Sequence, residues 1–285
     1  MNSKSFWSET FHVLRPVCVL LVAIAVAAMA MAVEGWHTPS LLLAGMIFLL
    51  GGLLVMNVIR AIQTLGLRAK MLREAFGQAE RHYIDVLRRI IRFFEAREDF
   101  AAGQSERVGR LAEQISRELG MPDEKCSLMS LAGQLHDIGL VDVSDSLLNK
   151  PYRWGASDFQ SIQNHAEMSY EILRPLECLR EALPAIRYHH ERMNGTGYPH
   201  GLKGEQIPLE ARILAVADAF DAMTHDRPHR RAVTPLAAML ELRRCSPAGY
   251  DPQCVAALAE VVHLPDLEVA TPPERVAECQ TIQPA

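Results

Sequence analysis

The chain has 285 residues, which is enough for one sizeable domain and additional segments. Its formal net charge of -5 argues against a protein that binds nucleic acid through a basic surface. Its six cysteines are scattered and form no CxxC pair, so neither a zinc finger nor a secreted disulfide framework is indicated.

Two uncharged apolar runs near the amino terminus, at 16–33 and 40–59, are each about long enough to cross a bilayer core as a helix. Basic residues precede the first run and follow the second, whereas Glu34 is the only charged residue in the short link between them. The positive-inside rule therefore places both ends in the cytoplasm. Residues 1–61 are predicted to form a short cytoplasmic segment and a transmembrane hairpin, so that a multi-pass membrane protein carries its remaining domain in the cytoplasm.

A cleaved signal peptide is the alternative interpretation of the first run. Ala28, Ala30 and Ala32 give the A-x-A pattern of a cleavage site. The run is long for the apolar region of a signal peptide, and a retained helix is therefore favoured. Both interpretations leave the rest of the chain in the cytoplasm.

A heptad pattern follows the second run. Apolar residues recur at alternating steps of three and four: Ile62, Leu65, Ala69, Leu72, Phe76, Ala79, Tyr83, Val86, Ile90 and Phe93. This spacing predicts a coiled-coil stalk over residues 62–94 that forms a parallel homodimer. The alternative is a long amphipathic helix packed on its own domain, and Gly66 and Gly77 weaken the coil by roughly 1 kcal/mol each relative to alanine. The dimer is favoured because a stalk directly after a membrane helix has no other surface to cover.

Residues 95–264 are predicted to form an all-α domain. Apolar spacing of three and four residues indicates helices, and no convincing alternating strand is present. The predicted helices lie at 105–120, 127–139, 157–173, 209–223 and 234–244. Residues 265–285 contain four prolines and are predicted to be a disordered tail.

Side chains of the kind that bind metals lie on apolar helix faces in this domain. His136 is followed at once by Asp137, His165 lies at the edge of an apolar stripe, and Asp218 lies within a nearly continuous apolar run. Gly139 is expected to stop the first of these helices. A buried carboxylate is costly unless it is paired or binds a metal. The alternatives are histidines that are hydrogen bonded in the core, and an Asp218 that pairs with a nearby arginine.

His189 and His190 add two more imidazoles beside a turn. Successive helical residues point about 100° apart, so the two rings do not chelate one ion in the usual i, i+4 manner and could each serve one ion of a dinuclear pair. Together with the residues above they make four histidines and two carboxylates. Such a mixed set suits iron or manganese, with zinc and nickel as alternatives, and contains no thiolate.

Three motifs in this domain resemble the HD-GYP family of cyclic di-GMP phosphodiesterases, which belongs to the HD superfamily of metal-dependent phosphohydrolases. They are HDIG at 136–139, HHERMNGTGYPHGLKGEQIP at 189–208 and ARILAVADAFDAMTHDRPHRRA at 211–232. The similarity extends from about Glu95 to Val262. It implies a helical HD core, a two- or three-metal centre and hydrolysis of cyclic di-GMP in second-messenger signalling. The membrane would then be the bacterial inner membrane.

The resemblance also implies residue roles. His136 and Asp137 would be catalytic, and Asp137 would bridge the metal ions. Arg227 and Arg230 would contact substrate phosphate. The loop of Gly197, Tyr198 and Pro199 gives the family its name and is linked to contacts with a signalling partner. The metal ligands implied are His136, Asp137, His165, His189, His190 and Asp218.

Two departures from the family pattern bear on activity. The family usually has a histidine where this chain has Gln104, and a lysine where it has Leu140. A glutamine offers one neutral oxygen to a transition metal, and a leucine offers nothing to a phosphate. Two hypotheses follow: a membrane-anchored cyclic-dinucleotide phosphodiesterase, or a degenerate HD-GYP module that binds nucleotide or a partner protein without turnover.

Overall fold

Helices dominate the computed structural model, which describes residues 25–26, 29–30, 38–96, 102–144, 147, 155–227 and 230–264. No strand occurs among these residues, which confirms the predicted all-α class. The helices are α1 (Thr38–Glu95), α2 (Gln104–Glu118), α3 (Asp123–Leu135), α4 (Ala156–Leu173), α5 (Leu183–Tyr188), α6 (Leu209–Thr224), α7 (Pro235–Cys245) and α8 (Pro252–Val261). Short 3-10 segments lie at Ile138–Asp142, Glu177–Leu179 and Gly204–Gln206. The predicted tail at 265–285 lies outside the described residues.

The long helix α1 contains the second predicted membrane run. From Leu43 onward it is long and apolar enough to cross a bilayer, and it is the one such helix among the described residues. The first predicted run, 16–33, lies almost entirely outside the described residues, so the hairpin stays a prediction. Residues 62–94 are helical throughout, as the heptad pattern requires.

The carboxyl-terminal part of α1 carries two apolar stripes. Ile84, Leu87 and Ile91 are buried and belong to the hydrophobic core of the domain. The stripe that continues the heptad pattern, by contrast, is solvent exposed: Tyr83, Val86, Ile90 and Phe93 have exposed fractions of 44%, 38%, 36% and 63%. The domain therefore packs on α1 through residues outside the predicted coiled-coil seam.

Helix α6 lies in the centre of the domain. It packs against α2, α3, α5, α7 and α8, and its Ile213, Leu214 and Val216 are fully buried. A side chain on this helix faces other helices in nearly every direction. The two carboxylates that α6 carries in its second half are therefore largely removed from water, and each requires a compensating partner.

The helix boundaries differ from the predicted ones at the HDIG motif. Helix α3 ends at Leu135, and His136 caps it with helical backbone angles. A 3-10 turn over Ile138–Asp142 then continues the chain. Gly139 lies inside that turn, so the expectation that it stops the helix was wrong. Helices α5 and α8 were not predicted. Helix α5 has six residues, too few for apolar periodicity to reveal.

Candidate metal centre

The HD motif stands where α3 meets the 3-10 turn. The Nδ1–H of His136 donates to the carbonyl of Gly133 at 2.8 Å, so Nε2 is the ring nitrogen that faces the site. That Nε2 lies 3.1 Å from Oδ2 of Asp137 and 3.8 Å from Oδ1 of Asp218. The end of α3 thus brings one imidazole nitrogen between two carboxylates.

Two further histidines are oriented in the same way, by a hydrogen bond from Nδ1–H to a backbone carbonyl three residues earlier. Nδ1–H of His165 on α4 donates to the Ile162 carbonyl, and Nδ1–H of His189 after α5 donates to the Ile186 carbonyl, both at 2.6 Å. A backbone acceptor three residues earlier fixes the tautomer and turns Nε2 inward. In this way helix carbonyls prepare both rings as ligands through Nε2.

Asp137 lies at the centre of the cluster. Its Oδ1 is 3.3 Å from Nε2 of His165 and 3.8 Å from Nε2 of His189. His190 reaches the same point, because its Nε2 is 3.2 Å from Nε2 of His165. Ligand atoms of Asp137, His165, His189 and His190 all lie within 4.8 Å of one another. Nitrogen and carboxylate oxygen donors at this separation suit a divalent transition metal.

Unsatisfied nitrogen atoms support this fit. Nε2 of His189 is buried and has no hydrogen-bond partner, and Nε2 of His136, also buried, lies near the carboxylates of Asp137 and Asp218 without the alignment of a hydrogen bond. A buried polar atom without a partner is costly, and most such atoms in proteins are satisfied. The donor set therefore fits a metal, which would complete the bonding of both nitrogens.

The charges of the cluster depend on its mutual contacts. Burial by itself would lower the pKa of His136, but Asp137 and Asp218 hold that pKa well above its usual value. Burial would raise the pKa of Asp137, but His136 and His165 keep it well below the usual carboxyl range. Burial, reinforced by His136, lowers the pKa of His189 to about 3. The centre thus combines an ionised carboxylate with at least one neutral imidazole at neutral pH.

Two motif glycines allow backbone segments to approach closely at the site. A Cβ on Gly139 would lie 2.1 Å from the carbonyl oxygen of His165 and 2.6 Å from the backbone nitrogen of Ser169. A Cβ on Gly197 would lie 2.5 Å from the carbonyl oxygen of His190. Any larger residue would separate these segments. The HDIG and GYP glycines therefore keep the histidine-bearing elements together.

Glu191 holds the GYP loop. Although it follows the two histidines, its buried carboxylate accepts backbone N–H bonds from His200 at 2.7 Å and Leu202 at 3.0 Å. The ring of Tyr198 lies beside that of His190, with centroids 4.7 Å apart. The HHE run thus supplies two cluster members and one loop anchor. The pattern of residue types did not distinguish these roles.

The residues that depart from the family pattern lie close to the cluster. Gln104 is the first residue of α2, and its Nε2 lies 3.5 Å from Oδ1 of Asp218, a long contact. Leu140 is half-buried in the 3-10 turn that follows the HD pair. The substitution at 104 thus replaces an imidazole with an amide beside one of the predicted metal ligands.

The two arginines of DRPHR face each other across an antiparallel bridge. Arg230 also donates through its guanidinium to the carbonyl of Ala222 at the end of α6. Asp218 has a lowered pKa: burial would raise it, the nearby imidazole of His136 lowers it, and the charge of Arg227 contributes to the lowering. The charge of Arg227 therefore acts on the cluster.

Sequence reasoning missed an ion-pair network next to the cluster. Asp221 accepts two hydrogen bonds from Arg107, from Nε at 2.7 Å and from Nη2 at 3.0 Å. Its Oδ1 also lies 3.2 Å from Nδ1 of His225. Asp221 was visible as a second carboxylate in the apolar run, but no local signal identified Arg107 as its partner.

Comparison with known proteins identifies the family of this chain. The family model described as HD domain matches residues 87–254. The cyclic di-GMP phosphodiesterase response regulator RpfG of Xanthomonas campestris is 37% identical over 187 residues, covering 65% of this chain and 49% of that protein. The 3'3'-cGAMP-specific phosphodiesterase 3 of Vibrio cholerae is 35% identical over 60% of this chain and 37% of its own length.

A cyclic di-GMP phosphodiesterase of Thermotoga maritima is 33% identical over 67% of this chain and 53% of its own length. The chain thus spans about half the length, or less, of these relatives. Residues 87–254, which the family model matches, contain the whole histidine cluster and the HDIG and GYP motifs. By this match and these motifs, the chain belongs to the HD domain family and, within it, to the HD-GYP proteins.

Proposed function

We infer that this chain is a metal-dependent phosphodiesterase that hydrolyses cyclic di-GMP. The observation that carries the proposal is the buried cluster of imidazoles around Asp137, in which two Nε2 atoms have no hydrogen-bond partner. Such atoms are costly to bury unless they gain a ligand. A hydrolytic centre of this composition needs little further acid or base chemistry from side chains.

Two divalent ions are proposed for the site, with iron or manganese favoured and zinc or nickel as alternatives. Asp137 is the proposed bridge, since its two oxygens face different histidines. When bound, such ions would polarise the phosphodiester and lower the pKa of a water molecule. The proposed ligands are the six predicted ones: His136, Asp137, His165, His189, His190 and Asp218.

The chain's own residues would then bind and orient the substrate. Arg227 and Arg230 are proposed to hold phosphate oxygens, for which the planar guanidinium is suited. Neutral His189, with its pKa of about 3, needs no deprotonation before it acts as a ligand. The GYP loop, anchored by Glu191, would keep His190 in place and present an outer surface to a signalling partner.

The substrate is proposed by comparison with the relatives. Two of those described above carry cyclic di-GMP in their names and one carries 3'3'-cGAMP. Both molecules are cyclic dinucleotides with two phosphodiesters. Cyclic di-GMP is the first candidate, and 3'3'-cGAMP is the matched comparison in any assay.

The proposal is tested with the 285-residue chain purified in detergent and loaded anaerobically with Mn²⁺ or Fe²⁺. Metal content per chain and hydrolysis of both dinucleotides are measured on the same samples. We expect metal to be bound and cyclic di-GMP to be linearised. A folded, metal-loaded chain that hydrolyses neither dinucleotide would exclude the enzyme.

That result would favour the second candidate, a binding module without turnover. Gln104 is the observation behind it, because an amide replaces an expected imidazole 3.5 Å from Asp218. Equilibrium binding of cyclic di-GMP to the same sample would then separate a nucleotide-binding module from one that binds only proteins.

We further propose a membrane anchor and a homodimer. The anchor is the hairpin at 1–61, supported by the one described helix that is long and apolar enough to span a bilayer. The stalk at 62–94 would pair through the heptad seam, which is exposed while Ile84, Leu87 and Ile91 pack on the domain at 95–264. The tail is assigned to 265–285.

Cysteine crosslinking tests the seam. Leu72 lies on the seam and Arg73 beside it. We expect Leu72→Cys to crosslink within the dimer and Arg73→Cys to do so poorly, with the parent chain as the control for native cysteines. Equal crosslinking at both positions would contradict a coiled coil.

A further inference from the structure

The end of α1 contacts the start of α2 through one carboxylate. Glu95 is the last residue of α1, and its Oε1 accepts the backbone N–H of Ser105 at 2.7 Å. Its Oε2 accepts the backbone N–H of Gly103 at 3.1 Å. The two amides flank Gln104, whose side chain faces Asp218. A single side chain thus holds the backbone on both sides of a residue at the metal centre.

This carboxylate replaces a cap that α2 lacks. The residue before α2 is Gly103, in the left-handed region with φ of 73°, and it has no side chain to accept from the first turn. The amides of a first helical turn need an acceptor, which is normally the side chain of the capping residue. Glu95 supplies that acceptor from another helix, and its negative charge also suits the positive end of the α2 dipole.

The first turn of α2 leads directly to the central helix. Gln104 contacts Asp218, and Arg107, one turn later, makes two hydrogen bonds to Asp221. Both carboxylates lie on α6. A displacement of this turn therefore changes the surroundings of a predicted metal ligand and of the neighbouring ion pair together.

The last turns of α1, which carry Glu95, are themselves fixed to the domain. Ile84, Leu87 and Ile91 pack α1 into the domain core, whereas the pair of Arg92 and Glu106, 3.5 Å apart, is solvent exposed and contributes little. Movement of this part of α1 along its axis would move Glu95 relative to α2. Glu95 is the point at which such movement would reach α2.

We propose that Glu95 is a positioning residue that couples the last turns of α1 to the metal centre through the first turn of α2. The coupling rests on the proposed function only in what it regulates, namely metal binding and turnover at the Asp137 cluster. It gives the stalk helix a physical route to the site: Glu95 sets the α2 amides, the α2 turn sets Gln104 and Arg107, and these set α6.

The test compares Glu95→Ala and Glu95→Gln with Glu106→Gln in the full chain. Glu106→Gln removes the same charge from the same helix end but leaves the amides of residues 103 and 105 bonded. The first readout is amide hydrogen exchange of the metal-free protein. We expect Glu95→Ala to speed exchange by about tenfold in residues 103–110 and also in residues 214–224 of α6. A local cap would affect residues 103–110 alone.

The second readout is Mn²⁺ affinity. Side chains that orient metal ligands typically change affinity by ~10–100-fold, and we expect a loss in this range for Glu95→Ala, a smaller loss for Glu95→Gln and none for Glu106→Gln. Unchanged exchange in α6 would overturn the coupling, whether or not the chain binds metal. A parent chain that hydrolyses no dinucleotide would refute the proposed enzyme and leave the exchange result to decide the coupling.

Discussion

Helix α6 carries two carboxylates three residues apart whose surroundings differ. Asp221 is held by two hydrogen bonds from Arg107, at 2.7 and 3.0 Å, and lies 3.2 Å from His225. Asp218 faces His136 at 3.8 Å and the amide of Gln104 at 3.5 Å. An arginine is permanently charged, and its N–H groups occupy the oxygen atoms of its carboxylate partner. An imidazole, by contrast, can release its proton, so that a metal can bind the imidazole and the carboxylate beside it. Asp221 is therefore structural, and Asp218 is available to a metal.

Removal of the central carboxylate should have the largest effect. Asp137 contacts three histidines, so Asp137→Ala should abolish metal binding and lower turnover by ~10³-fold or more. His189→Ala and His190→Ala should each lower the number of ions bound. Metal content by mass spectrometry and initial rates of hydrolysis measure this. Parent-level metal in the Asp137 variant would refute the dinuclear site.

Asp221→Ala is the matched control on the structural side of the comparison. It leaves the partly buried Arg107 without its carboxylate partner, which should cost roughly 3 kcal/mol of folding stability. With saturating Mn²⁺, the folded fraction should bind as many ions per chain as the parent, because Asp221 is not a proposed ligand. Thermal unfolding in detergent measures the loss. If this variant lost metal without losing stability, the distinction between the two carboxylates would be wrong.

Restoration of the family residues should sharpen the contrast at Asp218. Gln104→His would add an imidazole beside Asp218 and should raise metal occupancy, and Leu140→Lys would add a charge for phosphate. A contact made in the transition state can contribute ~2–4 kcal/mol, or roughly 30- to 1000-fold in rate, and a weakly active parent should gain by that amount in the double variant. Steady-state rates with saturating Mn²⁺ measure the gain, after circular dichroism confirms folding.

Controls for this pair place the same side chains away from the site. Gln114→His lies on the exposed face of α2, and Val141→Lys adds the same charge at an exposed neighbour of Leu140. Neither should change metal content or rate. A parent chain already as fast as the double variant would show that the enzyme works with its altered residues.

Lowering the pH should weaken metal binding at the site, by less than the loss of Asp137. Burial would lower the pKa of His136, but Asp137 and Asp218 hold it well above its usual value, so the metal-free imidazole keeps a proton that the metal must displace. Affinity should therefore rise with pH, by about tenfold per pH unit for one proton, until the pH reaches that raised pKa, and should level off above it. His189, with its pKa of about 3, adds no such proton.

Mn²⁺ titrations between about pH 6 and 8 measure this dependence. His225→Gln is the control, because His225 pairs with Asp221 and not with the cluster. It should leave the pH dependence unchanged. An affinity that is constant over this range would show that His136 is not protonated in the metal-free site.

The sequence by itself determined the helical class and the chemistry of the site. Spacing of three and four residues predicted the helices that became α2, α3, α4, α6 and α7, and residue types identified the members of the histidine cluster. Local information sufficed because apolar periodicity follows from helix geometry and because few side chains bind metals. The three ordered motifs identified the family because they too are local patterns of residue types.

Tertiary structure decided how those residues are used. Apolar spacing alone does not distinguish Asp218 from Asp221, the second carboxylate on the same helix, and only the packing of α2 on α6 brought Arg107, 114 residues away, to Asp221. It likewise made Glu191 a loop anchor, Gly139 a site of close backbone approach and Glu95 the cap of α2. Periodicity specifies which face of a helix is buried, but the partner across that face depends on long-range packing, which no local pattern contains.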